Sequence, residues 1–129
     1  MKKFFLLTLA GMIGISLLAG CGSKVVKVDD SMNGQTITVN AGDTFKVSLV
    51  GNPTTGYNWY AANLDETILS QSGEADFKAD SSAIGAGGII TNTFKAEASG
   101  TTTLTLEYKR AWETDVEPIQ VFTITVVVE

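Results

Sequence analysis

Three short stretches carry the residue types that make close contacts or do chemistry. In Gly51-Asn-Pro-Thr-Thr-Gly-Tyr57, Pro53 fixes φ, Thr54 and Thr55 supply small hydroxyls, and Gly56 is free to take φ > 0, so Asn52 to Tyr57 reads as a shaped, low-profile loop tip. Ala83-Ile-Gly-Ala-Gly-Gly88 sets glycines at Gly85, Gly87 and Gly88, where backbone can approach another surface closely. Arg110-Ala-Trp-Glu113 places the only arginine of the chain two residues from Trp112, and arginine and tryptophan are among the types most enriched at binding hot spots. Glu113, Asp115 and Glu117 then offer carboxylates of the kind that work in pairs in glycoside hydrolysis. Their spacing along one inter-strand loop reads more simply as a solvated acidic surface.

What is missing narrows the chemistry further. There is no histidine and a single cysteine. A histidine general base, a Ser/His or Cys/His dyad and a Cys/His zinc cluster are therefore excluded, and no metal or other cofactor is implied. The formal charge is −5, and setting aside Lys2 and Lys3 leaves seven basic against fourteen acidic residues. Such a balance repels a phosphate backbone, so nucleic acid is not an expected partner. One cysteine also forbids an intramolecular disulfide, and the fold must stand on its core.

The elements that position these stretches are strands. Thr44 to Val50 alternates, with Phe45, Val47 and Leu49 on one face; Thr102 to Tyr108 and Gln120 to Val128 do the same through Leu104, Leu106, Tyr108 and Phe122, Ile124, Val126. Thr36 to Val39, Tyr57 to Ala61 and Ile89 to Ala96 complete the clear strands, and Ile68 to Phe77 is read as another. Asn63 to Leu69 has the composition for a turn of helix. About seven short antiparallel strands in 129 residues predict one all-β domain, an immunoglobulin-like β-sandwich without the disulfide of antibody domains. Connections in such a sandwich alternate between its two ends. The loops at 51–56, 80–88 and 110–118 therefore fall at the same end.

The first twenty residues are of another kind. Lys2 and Lys3 precede an apolar run from Phe4 to Leu18, too short for a confident spanning helix, which ends in Leu18-Ala-Gly-Cys21. This resembles the bacterial lipobox, in which cleavage before the cysteine leaves its thiol to carry lipid. The expected organisation is a signal peptide over 1–20, a lipidated Cys21 with a tether over 21–34 and the sandwich over 35–129. The mature protein is expected outside the cytoplasm, anchored by lipid to a bacterial membrane, as a monomer.

In their order and spacing, Asn52-Pro-Thr-Thr-Gly-Tyr57, Gly85-Ala-Gly-Gly88 and Arg110-Ala-Trp112 resemble the three signatures of chagasin-type inhibitors of papain-like cysteine peptidases. The resemblance runs from about residue 35 to 129. It implies an inhibitor, not an enzyme, whose three loops enter the cleft of the peptidase as a wedge. Thr54 would sit nearest the catalytic centre, with Thr55 and Gly56 shaping the tip. Gly85, Gly87 and Gly88 would run along one side, and Arg110 and Trp112 would cover the other. Ala111 stands where the family usually has proline, which implies a more mobile third loop. The alternative from another class is a non-inhibitory surface lipoprotein that uses the same end to bind an envelope protein or a glycan.

Overall fold

The computed structural model describes residues 25–129. Alternating apolar positions become nine strands: β1 (Val25–Asp29), β2 (Thr36–Val39), β3 (Thr44–Gly51), β4 (Asn58–Ala62), β5 (Leu69–Gln71), β6 (Asp76–Ala79), β7 (Gly88–Ala96), β8 (Gly100–Lys109) and β9 (Gln120–Val128). One sheet runs β1-β3-β7-β5, with β6 also on β7, and the other runs β2-β9-β8-β4. The immunoglobulin-like β-sandwich expected from the sequence is what forms, without a disulfide. The signal segment, Lys24 and Cys21 lie outside the described residues.

The core lies between the inner faces. Phe45 and Phe94 stack with ring centroids 5.5 Å apart, and Leu69, Leu104, Leu106, Ile124 and Val126 are fully buried around them. The period of two is visible in burial along β3, β8 and β9, as half-buried strands require. One inward position breaks the rule. Asn92 is buried between Ile90 and Phe94 on β7, and its Oδ1 accepts a hydrogen bond from Gln71 Nε2 at 2.7 Å.

The strands depart from expectation in two ways, in their pairing and in one break. The pairing is mixed, because β1 runs parallel to β3 and β2 parallel to β9. A 3₁₀ turn at Asp30–Met32 lets the chain leave one sheet and join the edge of the other, where Gly34 N donates to Thr123 O at 2.6 Å. The carboxylate of Asp29 caps this turn, and its hydrogen bonds from the Ser31 hydroxyl and N–H hold its pKa below the ordinary value. β1 thus belongs to the sandwich, with Val28 in the core, although it lies inside the stretch read as a tether. The strand read over 68–77 divides into β5 and β6 where Gly73 takes φ +74°. Both halves pair antiparallel with β7, so the pair still makes one pass across the sheet. Asn63 to Leu69, expected to have room for a turn of helix, makes one hydrogen-bonded turn that propagates no further. Asp65 Oδ1 accepts from Thr67 N and Oγ1, and Asp65 O accepts from Ile68 N and Leu69 N, which closes a single turn.

Candidate functional site

The three loops meet at one end of the sandwich, and the first is built around Asn52. β3 ends at Gly51, which pairs with Gly88; a Cβ on Gly51 would lie 2.5 Å from Ile90 Cδ1 and 3.2 Å from Tyr108 Cε1. A side chain here would have to push the Ile90 methyl aside, so glycine lets the chain turn close to the core. Pro53 then opens a 3₁₀ turn over Pro53–Thr55, suited by its fixed φ and missing N–H to the first position. Asn52 Oδ1 accepts from Thr54 N at 3.1 Å and from Thr54 Oγ1 at 2.6 Å, capping the turn. Gly56 closes it at φ +91°, with its N–H donating to Pro53 O at 2.9 Å. Thr54 and Thr55 are left exposed at the tip.

Asn52 also reaches outward from the turn. Its side-chain Nδ2 donates to Gly85 O at 2.9 Å, and its backbone N–H donates to Tyr108 Oη at 2.8 Å. One residue therefore joins the first loop to the second and to the strand that leads into the third. The sequence places Asn52 in the binding loop but does not reveal these ties, because its partners lie 33 and 56 residues away.

The second loop returns on itself through Asp80 N to Gly87 O at 3.0 Å and Ala86 N to Ala83 O at 3.2 Å. Its three glycines have different tasks. Gly85 takes φ +79° at the tip, and a Cβ on Gly87 would meet Gly51 O at 3.4 Å. Gly88 is buried as the first residue of β7, where a Cβ would overlap Lys78 O across the β6 pairing. Gly88 thus shapes the sheet beneath the loop and presents no exposed surface. Ile84, between these glycines and Ala83, projects from the tip fully exposed. The signal for it was present: an isolated β-branched apolar residue between turn residues has no strand period to bury it.

The third loop begins with a turn closed by Glu113 N to Arg110 O at 3.1 Å, and its base is tied by Ile119 N to Tyr108 O at 3.0 Å. Arg110 Nε donates to Thr55 O at 3.0 Å, and its Nη1 lies 3.5 Å from Glu113 Oε2. The guanidinium covers the Tyr57 ring at 4.4 Å and lies 5.9 Å from the Trp112 ring centre. Trp112 is 67% exposed, yet one edge rests on the first loop, since a Cβ on Gly56 would overlap its Cη2. Tyr57, half-buried, stacks on Tyr108 at 5.3 Å and so serves as a pedestal under Arg110. The carboxylates read as possible acid and base are ordinary surface groups: Glu113 faces Arg110, and Asp115 and Glu117 are exposed along an open depression of about 490 Å³.

The structure therefore brings together Asn52, Pro53, Thr54, Thr55, Gly56, Tyr57, Gly85, Gly87, Arg110 and Trp112, with Gly88 in the sheet below. It can fill a cleft with small hydroxyls and backbone at the centre and with Ile84 and Trp112 at the flanks. The hydroxyls of Thr54 and Thr55 donate to Asn52 Oδ1 and to the Asn52 carbonyl, neither of which is a base.

Comparison with known proteins agrees in extent and kind. The family model for chagasin family peptidase inhibitor I42 matches residues 38–126. Chagasin of Trypanosoma cruzi is 34% identical over 91 residues, covering 67% of this chain and 82% of that protein. Amoebiasin-2 of Entamoeba histolytica is 34% identical over 94 residues, covering 72% and 76%. The crystal structure of the cysteine protease inhibitor EhICP2 from the same organism superposes with a TM-score of 0.72 at 28% identity, over 85% of this chain and all of that one.

Proposed function

Since this chain belongs to the chagasin family of peptidase inhibitors, we propose that it is a reversible inhibitor of papain-family cysteine peptidases that occludes the active-site cleft with the loops 51–57, 80–88 and 110–118. The observation that carries the reading is the joining of three loops into one edge by Asn52 and Arg110, with Thr54, Ile84 and Trp112 left outside. Such an inhibitor needs no reacting group of its own. It needs a shape that enters the cleft without offering a peptide bond in attack geometry, and a capped proline turn at the tip supplies one. Hydrogen bonds already tie the three loops to one another in the free chain, which lowers the cost of ordering them on binding. A standard interface hides roughly 1,600 Å² in total, of which a well-seated tryptophan such as Trp112 contributes on the order of 150–250 Å².

The same reading extends to where the protein works. Cleavage before Cys21 and lipidation of its thiol would tether the inhibitor, as a bacterial lipoprotein, outside the cytoplasm, with residues 22–24 joining the anchor to β1. Metabolic labelling with a fatty acid should mark the protein, and Cys21→Ser should abolish the label.

Inhibition is tested by titrating active papain with residues 22–129 under reducing conditions, since residues 25–129 contain both sheets and the described core. Tight, reversible inhibition that spares a serine peptidase is expected. A folded protein that leaves papain and a cathepsin L-like enzyme untouched at micromolar concentration would return the wedge to an envelope-binding role.

A further inference from the structure

Arg110 sits where its loop meets the first, and its geometry points inward. Nε donates to the Thr55 carbonyl at 3.0 Å, Nη1 faces Glu113 at 3.5 Å, and the plane of the guanidinium lies over Tyr57 at 4.4 Å. Beneath Tyr57 the stack continues to Tyr108 at 5.3 Å, and Tyr108 meets Trp59 at 5.0 Å in the core. Trp59 is itself fixed by Nε1 donating to Val50 O at 3.1 Å. A column of four planar groups therefore runs from the loop surface into the sandwich, with Arg110 as its cap.

We propose that Arg110 is a positioning residue: it bolts the 110–113 turn to the Thr55 carbonyl so that the threonine tip and Trp112 form one preassembled edge. The proposal deepens the inhibitor reading and rests on it. Three features require this bolt. Ala111 occupies the second position of the turn closed by Glu113 N and Arg110 O, where proline would fix φ and alanine does not. Trp112 is mostly exposed and is placed by contact with Gly56 on the other loop, so its position depends on the two loops keeping their spacing. Only a planar cation with directed N–H groups can stack on Tyr57 and donate to a carbonyl at its edge; lysine brings the charge without the plane.

The test compares Arg110→Gln, Arg110→Lys, Ala111→Pro and the double variant Arg110→Gln/Ala111→Pro in residues 22–129. Both single changes at Arg110 are expected to raise the inhibition constant against papain about 10- to 30-fold. Ala111→Pro is expected to inhibit at least as tightly as the parent, and within the double variant to return inhibition to within about threefold of it. The second readout needs no peptidase. The Trp112 indole N–H signal, assigned by its loss in Trp112→Ala, should show faster local motion in Arg110→Gln, while that of Trp59 is unchanged. Proline should reverse the effect. If Arg110→Gln weakens inhibition while Trp112 keeps its mobility, and proline restores nothing, Arg110 is a direct contact and the bolt is wrong. If no variant inhibits, the inhibitor reading fails, and the mobility of Trp112 still decides the bolt.

Discussion

The two ends of the sandwich solve the same problem of turning the chain and leave different things outside. At the end away from the three loops, Asn40–Asp43 is closed by Asp43 N to Asn40 O and by Asn40 N to the Asp43 carboxylate. Gly42 N and Asp43 O reach Ala96, and Ala41 N reaches Glu129 O, so this turn is sewn to two strands. Leu64 and Ile68 in the neighbouring turn fold back against the core. At the loop end backbone hydrogen bonds also close each of the three loops, yet Ile84, Trp112, Val116 and Ile119 stay outside. Rigidity alone therefore does not mark a binding end. Rigidity combined with apolar side chains that a short turn would have buried does, because folding gains little from holding them in water.

The sharpest way to break this contrast is to place a charge at the tip. Thr54→Arg should cost about 3–5 kcal/mol of binding, roughly a thousandfold in the inhibition constant, since a cation in a closed cleft without a partner stays desolvated. Thr54 is exposed and loses only its hydrogen bond to Asn52, so stability in urea should fall by less than about 1.5 kcal/mol. An unchanged inhibition constant would mean that the tip does not enter the cleft. Trp112→Ala comes next, at about 2 kcal/mol or 30-fold, with the thermal midpoint preserved because the ring is mostly in water. The mirror experiment is Asp43→Ala. It removes a buried acceptor at the other end and should lower stability by about 1.5 kcal/mol while inhibition stays within twofold. A matching loss of inhibition by folded Asp43→Ala would show that the two ends are coupled, and the comparison would collapse.

The same division separates what the sequence makes legible from what it does not. Long strands such as β3, β8 and β9 can be read directly, because burial on one face forces a period of two onto the residues themselves. Counting those strands is enough to put the three loops at one end. The pairing of β1 beside β3 is not legible, since Val25–Asp29 contributes one fully buried side chain, Val28, and its partner is chosen by tertiary packing. The break between β5 and β6 depends on a backbone angle at Gly73 that many glycines could adopt or refuse. Within the site, residue types indicate which stretches matter but not the division of labour. Gly88 looks like loop and is sheet, because its place follows from the Gly51 pairing; Asn52 looks like a turn residue and is also a cross-loop tie. Register decides both, and register is a long-range property.

The smallest effect belongs to the acidic rim, and it sharpens the comparison by separating charge from shape. Asp115 and Glu117 are exposed on the third loop and have the composition of an end built for solubility. Replacing both with alanine should change inhibition by about threefold at most, chiefly through the association rate, and the difference should shrink as salt rises from 20 to about 500 mM, where screening acts over only a few ångströms. Glu113 must be kept out of that test, because its carboxylate faces Arg110 and its loss would disturb the third loop itself. If the double variant instead lost most of its inhibition in a salt-independent way, the acids would be seated inside the interface. The contact would then extend past Trp112 along the whole loop, and the binding end would be defined by its third loop more than by the threonine tip.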